Sequence, residues 1–432
     1  MTGPPIDRNN PHMPQDTMTP DLPELTRAFA RIGVLSFGGP AAQIALMHRE
    51  IVDERQWIEE KDYLSALSFC MLLPGPEAMQ LATWIGWRTH GTIGGLIAGG
   101  LFVLPGAIVV LILSMIYAAF GQLPMVAALF AGVQAAVIAV VIEALLRIAK
   151  RALKGRAQRI VALLAFLALF LFSLPFPVIV LTAGIWGYLS TRRGAGPPAS
   201  APAPWAASFK AVAIWGAVWL VPLALLMLQG GFLAEIAWFF SKLALLTFGG
   251  AYAVLAWMAQ DVVVAKGWLT LPQMMDGLGL AETTPGPLIL VTEFVGYVAA
   301  YQKGGMGFGL AGAAIAVWMT FAPCFLWIFA GAPWITRLTA APRLSGALLA
   351  IMAAVVGVIG HLALWFALQV IFAGHFTLAA GPLALVLPDL ATLRPVMAAI
   401  AAICAYLLLR RHWPLIGVLG LAAALSAMFS WF

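Results

Sequence analysis

Leu35-Ser36-Phe37-Gly38-Gly39 returns 211 residues later as Leu246-Thr247-Phe248-Gly249-Gly250. The same offset aligns Trp57 with Trp268 and Pro74-Gly75-Pro76 with Pro285-Gly286-Pro287. It also pairs Phe29 with Phe240, Arg31 with Lys242, Glu50 with Asp261 and Arg55 with Lys266. One match is within reach of chance in a glycine-rich chain; a gap-free register of more than 45 residues is a duplication. Internal repeats fix the architecture and are read before anything else.

The solvent of the repeats follows from composition. Of 432 residues, 62% are apolar and 10% charged, and the mean hydropathy is +0.95. Soluble domains carry about 25% charged residues. A transmembrane helix consumes roughly 20 mostly apolar residues, so this chain has material for about 13. Barrel strands alternate polar and apolar positions, whereas these runs are apolar all round. The expected fold class is therefore an all-α polytopic membrane protein of about 13 transmembrane helices, in two repeats with broken helices.

The spans are expected at 27–46, 63–88, 93–119, 124–148, 159–174 and 177–190 in the first half. In the second they fall at 233–258, 271–300, 305–330, 343–371, 376–409 (irregular) and 413–431. Residues 1–26 read as a disordered cytoplasmic tail, because six prolines and no apolar core occupy the first 24 positions, which also excludes a cleaved signal peptide. The first repeat then covers 27–190, a Gly-, Ala- and Pro-rich cytoplasmic linker 191–206, a linker transmembrane helix 207–230, and the second repeat 231–432. Lys and Arg collect on the cytoplasmic side of membrane proteins. With the N-terminus cytoplasmic, only Arg49, Arg55, Lys61, Lys303 and Arg394 of the 24 basic residues face outward. The extra linker helix then makes the second repeat enter from the opposite side, so the repeats are inverted.

Inverted repeats with interrupted helices build secondary transporters, whose substrate site lies near the bilayer midplane where the repeats meet. Here Phe37-Gly38-Gly39 and Phe248-Gly249-Gly250 interrupt one helix of each copy, and the two Pro-Gly-Pro segments interrupt the next. Proline removes a backbone donor and glycine relaxes φ, so a turn unwinds. The helices restarting at Pro76 and Pro287 should present backbone N–H groups and a positive dipole end, which favour an anion. A simple proline kink is the competing explanation for either motif alone, but not for both at a fixed register.

Arg31 and Lys242 share one repeat position, two helical turns before the first glycine of each break. A charge in hydrocarbon is expensive and by default functional, unless it snorkels to the headgroups. Ser36 and Thr247 are hydroxyl donors at the breaks. Gln80, Thr283, Thr284 and Thr292 add to them or simply pack helices. Glu77, Glu282 and Glu293 flank the Pro-Gly-Pro segments without a repeat counterpart and are the candidates for coupling transport to protons. Helix-start carboxylates such as Glu77 also complement the dipole.

The sequence has no HExxH, GxSxG or P-loop, which leaves an intramembrane enzyme as a weak alternative. The three cysteines are isolated, the histidines lack metal-ligand spacing, and no cofactor, metal or nucleic acid is implied.

The paired Ser/Thr-Phe-Gly-Gly and Pro-Gly-Pro motifs, the Trp57 and Trp268 loops and the duplicated layout resemble the chromate ion transporter (CHR) superfamily, in its long two-domain members. The resemblance runs from about residue 25 to near the end. It implies a bacterial inner-membrane protein that exports chromate and gives chromate resistance, with sulfate as competing analogue and a homodimer as a further candidate assembly. Its characteristic segments fall on Phe37-Gly38-Gly39-Pro40, Pro74-Gly75-Pro76 and their repeats. Ala251 stands where the first copy has Pro40, so the two breaks are not expected to be equivalent. From another class, an anion channel also lines its path with broken helices.

Overall fold

A computed structural model describes residues 19–191, 205–248, 251–335, 338, 341–380 and 383–429. Gly249, Gly250, most of the expected tail and most of the linker lie outside the described residues. In chain order the helices are α1 (Leu22–Leu35), α2 (Gly39–His48), α3 (Glu60–Cys70), α4 (Glu77–Phe120), α5 (Pro124–Ala152), α6 (Arg156–Phe172), α7 (Phe176–Ser190) and α8 (Trp205–Gln229). Then come α9 (Phe232–Leu246), α10 (Ala251–Gln260), α11 (Leu271–Thr283), α12 (Val291–Gly331) and α13 (Pro342–Ile371). An antiparallel hairpin of β1 (His375–Ala380) and β2 (Leu383–Pro388) precedes α14 (Pro395–Leu409) and α15 (Leu415–Phe429). The protein is thus an α-helical polytopic membrane protein. Among the described residues, five helical segments are long and apolar enough to cross a bilayer, and shorter apolar helices accompany them.

The duplication is visible in the backbone. Each copy opens with two short helices, α1–α2 and α9–α10, within the interrupted spans expected at 27–46 and 233–258. Ser36 and Thr247 close the first member of each pair at almost identical dihedrals, φ −77 and ψ 67 against φ −77 and ψ 71. Each hydroxyl donates to the carbonyl four residues back, at 2.6 Å in both copies. Gly38, at φ +86, then turns the chain into α2. A short π-helical turn follows in both, Arg49–Glu54 and Asp261–Ala265. Beyond it the Trp57 N–H donates to Ile51 O and the Trp268 N–H to Val262 O, both at 2.9 Å. Such π turns commonly mark functional sites.

The first helix starts before the span expected at 27–46. Asp21 caps α1 by accepting the Glu24 N–H at 2.7 Å, and Pro23 sits in the first turn, so the helix starts at Leu22.

Two of the long helices are hairpins. α4 leaves helical geometry at His90 and Gly91, and α12 at Gly304 and Gly305, where Gly91 and Gly305 take φ +60 and +73. The expected boundaries between 88 and 93 and between 300 and 305 fall at these points. In a straight helix Gly86 and Gly94 would stand about 12 Å apart. Instead a Cβ on Gly86 would lie 2.1 Å from Gly94 O. The arms of α12 meet likewise: a Cβ on Gly312 would lie 2.3 Å from Gly296 O. Absent side chains let the backbones touch, as in small-residue packing of membrane helices.

The segment expected as an irregular span at 376–409 is different. It forms the β hairpin and then a 15-residue α14. The apolar run gives two six-residue strands, one on each side of Gly381-Pro382, a turn signal in the sequence. The 15 residues left in α14 span only about 22 Å, short of a hydrocarbon core of about 30 Å.

The chain divides into two compact units that do not follow the repeats. The first takes the described residues of Met1–Ile112, Ala195–Gly250 and Thr284–Ala341. The second takes those of Leu113–Gly194, Ala251–Thr283 and Pro342–Phe432. Each therefore draws on both copies. Within the first unit, Phe29, Phe69, Phe102, Phe239, Phe240 and Phe294 are buried. Within the second, Phe176 stacks on Trp257 at 5.7 Å, and α13 packs on α6 and α7 through Gly187 and Gly357.

Candidate functional site: the crossed helix breaks

All four interrupted segments belong to the first unit, and they are bonded crosswise. The Gly75 N–H, in the Pro-Gly-Pro of the first copy, donates to Thr247 O at the break of the second, at 2.7 Å. The Gly286 N–H, in the second Pro-Gly-Pro, donates to Ser36 O at the break of the first, at 2.9 Å. The two bonds are repeat-equivalent. Each break thus completes the other copy, which explains why the motifs occur as two pairs in register.

Unwinding makes this possible. Ser36 and Thr247 end helices outside helical geometry, so their carbonyls have no partner further along the helix. Gly75 at φ +126 and Gly286 at φ +87 take conformations that L side chains rarely adopt. A Cβ on Gly286 would also stand 3.3 Å from the Gly106 Cα of α4.

Two glutamines decorate the crossing, and both come from the first copy only. The Gln43 amide donates to Gly286 O at 2.6 Å and to Ser36 O at 3.2 Å, clamping one crossing from both sides. The Gln80 amide donates to Pro74 O at 2.7 Å beside the other. Their repeat positions hold Val254 and Val291. Both glutamines are buried, and the Oε1 of each is buried without a hydrogen-bond partner among the described residues. Cys324 of α12 lies against Gly75, where a Cβ would come within 2.9 Å of its Sγ.

The charged candidates spread more widely. Arg31 has 58% of its side chain exposed and pairs with Glu50 at 3.7 Å. Glu50, only 1% exposed, also pairs with Arg55. Arg55 stacks on Trp57 at 5.6 Å, and the repeat-equivalent Lys266 on Trp268 at 4.8 Å. Lys242 is half-buried with its ammonium 5.7 Å from the Trp238 ring. Glu77 heads α4 and is half-buried. Glu293 is buried in the first turn of α12, its Oε2 without a partner among the described residues. Beside it Thr292 donates to Ile289 O, and the Thr320 hydroxyl lies 3.4 Å from that of Thr292. Phe37 is 41% exposed, and Phe248 half-buried.

Glu282 belongs to the second unit, where it accepts the Tyr252 hydroxyl at 2.8 Å. The fold therefore brings together Ser36, Pro74, Gly75, Pro76, Thr247, Pro285, Gly286 and Pro287, with Glu77 and Glu293 on the helices that leave the breaks. Sequence reasoning missed Gln43, whose signal is an amide among the apolar residues of α2.

Chemically, the amides of Gly75 and Gly286 are spent on protein carbonyls, and the Oε1 atoms that Gln43 and Gln80 leave unspent are acceptors. A deprotonated oxyanion offers only acceptors, so it needs those N–H groups released. In the crossing the carbonyls of Ser36 and Thr247 hold those donors.

A polytopic helical membrane protein, duplicated and crossed at paired helix breaks, is the class defined by fold and site. Sequence comparison gives the family. The profile described as Chromate transporter matches twice, over residues 23–188 and 234–427, and the chain belongs to that family. It is 31% identical over 376 residues, 81% of this chain and 86% of the relative, to the chromate transport protein of Cupriavidus metallidurans. To the chromate transport protein of Pseudomonas aeruginosa it is 35% identical over 355 residues, 78% of this chain and 79% of the relative. A probable chromate transport protein of Synechococcus elongatus is 30% identical over 75% of this chain and 79% of its own length. No solved structure matches the chain.

Proposed function

We propose that the protein exports chromate, a divalent tetrahedral oxyanion, across the bacterial inner membrane and thereby gives chromate resistance. The observation that carries this is the double family match, one per repeat, with relatives described as chromate transport proteins across about four-fifths of the chain. The distribution of Lys and Arg supports a cytoplasmic N-terminus and inverted repeats.

The breaks are the gate and the binding site. Transport opens the crossing, and chromate oxygens replace Ser36 O and Thr247 O on the Gly75 and Gly286 amides. Arg31 and Lys242 supply positive charge on the approach. Export is downhill electrically. Moving one charge through 100 mV releases about 2.3 kcal/mol, so a dianion gains about 4.6 kcal/mol. That equals a roughly 2000-fold concentration ratio.

Everted vesicles containing the protein should accumulate chromate saturably, with excess sulfate competing, and should stop when the membrane potential is collapsed. Flux that never saturates would make the protein a channel. Accumulation that survives loss of the potential and fails on loss of the pH gradient would replace voltage by proton antiport.

A further inference from the structure

The second unit contains a buried carboxylate outside the crossed breaks. Asp276, on α11, is 4% exposed. Its Oδ2 accepts the Tyr117 hydroxyl at 2.7 Å and its Oδ1 the Gln134 amide at 2.9 Å. Tyr117 comes from the end of α4 and Gln134 from α5. Asp276 forms no ion pair among the described residues. α15, which also packs on α11, carries no ionisable residue. The charges of α5, namely Glu143, Arg147, Lys150 and Arg151, begin nine residues beyond Gln134, about 13 Å along the axis. On α11 itself the other acid is Glu282, six residues on, bonded to Tyr252.

A membrane protein that needed only packing here would use an apolar residue, because an intramembrane carboxylate without a cation is costly. We propose that Asp276 is a reversible proton-binding site. The geometry suits both protonation states. As a carboxylate, Asp276 takes one donor on each oxygen. When a hydronium ion delivers its proton to Oδ2, the new O–H donates to the Tyr117 oxygen, whose hydroxyl hydrogen rotates away. The Gln134 amide continues to donate to Oδ1, and the proton returns to water by the reverse step. A metal cation suits the pocket poorly, since both partners aim hydrogens at the carboxylate. α11 runs directly into Thr284-Pro285-Gly286-Pro287, so a change at Asp276 acts on the helix that ends at one of the breaks. That consequence rests on the transport function proposed above; the proton site does not.

The test is infrared spectroscopy of the purified full-length protein, without chromate, across the pH range in which it stays folded. Wild type should show a carboxylic-acid C=O band that disappears as pH rises, and Asp276→Asn should lose it. Asparagine keeps the shape and both hydrogen bonds of the protonated acid. Tyr117→Phe should keep the band but shift its frequency, because the acid's hydroxyl loses its acceptor. Identical pH difference spectra in wild type and Asp276→Asn would overturn the proposal. Should Asp276→Asn fail to fold, an unshifted band in Tyr117→Phe would overturn it equally. Chromate flux measured on the same preparations separates the two claims. Flux without the Asp276 band sinks the proton site alone, and the band without flux sinks only the transport function.

Discussion

Gly75 and Gly286 occupy equivalent positions, yet alanine should cost far more at the first. Both residues have positive φ, +126 and +87, and an L side chain there costs about 1–2 kcal/mol. The surroundings then differ. At Gly75 the new Cβ would stand 2.6 Å from Gln80 Nε2 and 2.9 Å from Cys324 Sγ. Gln80 must then release Pro74 O, a loss of about 0.5–1.5 kcal/mol. Displacing its amide and the thiol in a packed interior adds about 1–3 kcal/mol. At Gly286 the nearest atoms are Leu290 Cδ1 at 3.1 Å, the far end of a flexible side chain, and Gly106 Cα at 3.3 Å, which needs to give by only a few tenths of an ångström. The expected costs are thus about 3–6 kcal/mol for Gly75→Ala and about 1–2 kcal/mol for Gly286→Ala. Cys70, Cys324 and Cys404 are free and buried. A fluorogenic thiol reagent therefore reports thermal unfolding in detergent, and Cys70 and Cys404 keep the readout valid beside a perturbed Cys324. Gly75→Ala should unfold at a clearly lower temperature than Gly286→Ala. Equal midpoints, or the reverse order, would refute the packing around Gln80 and Cys324 on which the argument depends.

Four further outcomes are expected. Lys242→Gln should insert and fold normally, because a half-buried charge is removed, while chromate flux in vesicles collapses; normal flux would leave Lys242 as a lysine resting on Trp238. Arg31→Lys should retain more flux than Arg31→Gln if charge alone matters, whereas equal losses would mean that the planar guanidinium is needed. In intact cells, cysteine at Glu59 should react with an impermeant thiol reagent and cysteine at Lys154 should not, the opposite pattern ending the inverted-repeat topology. His48, beyond the expected first span, bonds Glu60 at 2.5 Å and Asp53 at 3.3 Å. Burial lowers its pKa, but the bond and charge of Glu60, with those of Asp53, outweigh that and raise it above 6.5. Its stabilising effect is therefore complete below the unfolded value and fades as pH rises through the raised one. The stability gap between wild type and His48→Asn should shrink from acid to alkaline pH, and a gap that widens would contradict the sign.

The sequence alone determined the membrane class, the duplication and the places where helices stop. These are local or additive properties: apolar runs set solvent, a shared register reveals copying, and glycine and proline act on their own turn of backbone. It also marked Ser36, Thr247 and the two Pro-Gly-Pro segments as belonging together, but not how. That Gly286 meets Ser36 and Gly75 meets Thr247 was decided by the tertiary structure, because a backbone N–H···O=C bond leaves no side-chain signature. The same holds for the donors: sequence offers the amides at the breaks as free, and the fold spends them on carbonyls from the other copy. The hairpin at His375–Pro388 was hidden because apolar runs look alike as strand or helix until their length between turns is fixed. Asp276 was silent for a related reason. Beside Met275 and Gly277 it reads as an ordinary polar residue near a helix start. Only burial against Tyr117 and Gln134, 159 and 142 residues away in the chain, makes it a carboxylate without a counter-charge among the described residues.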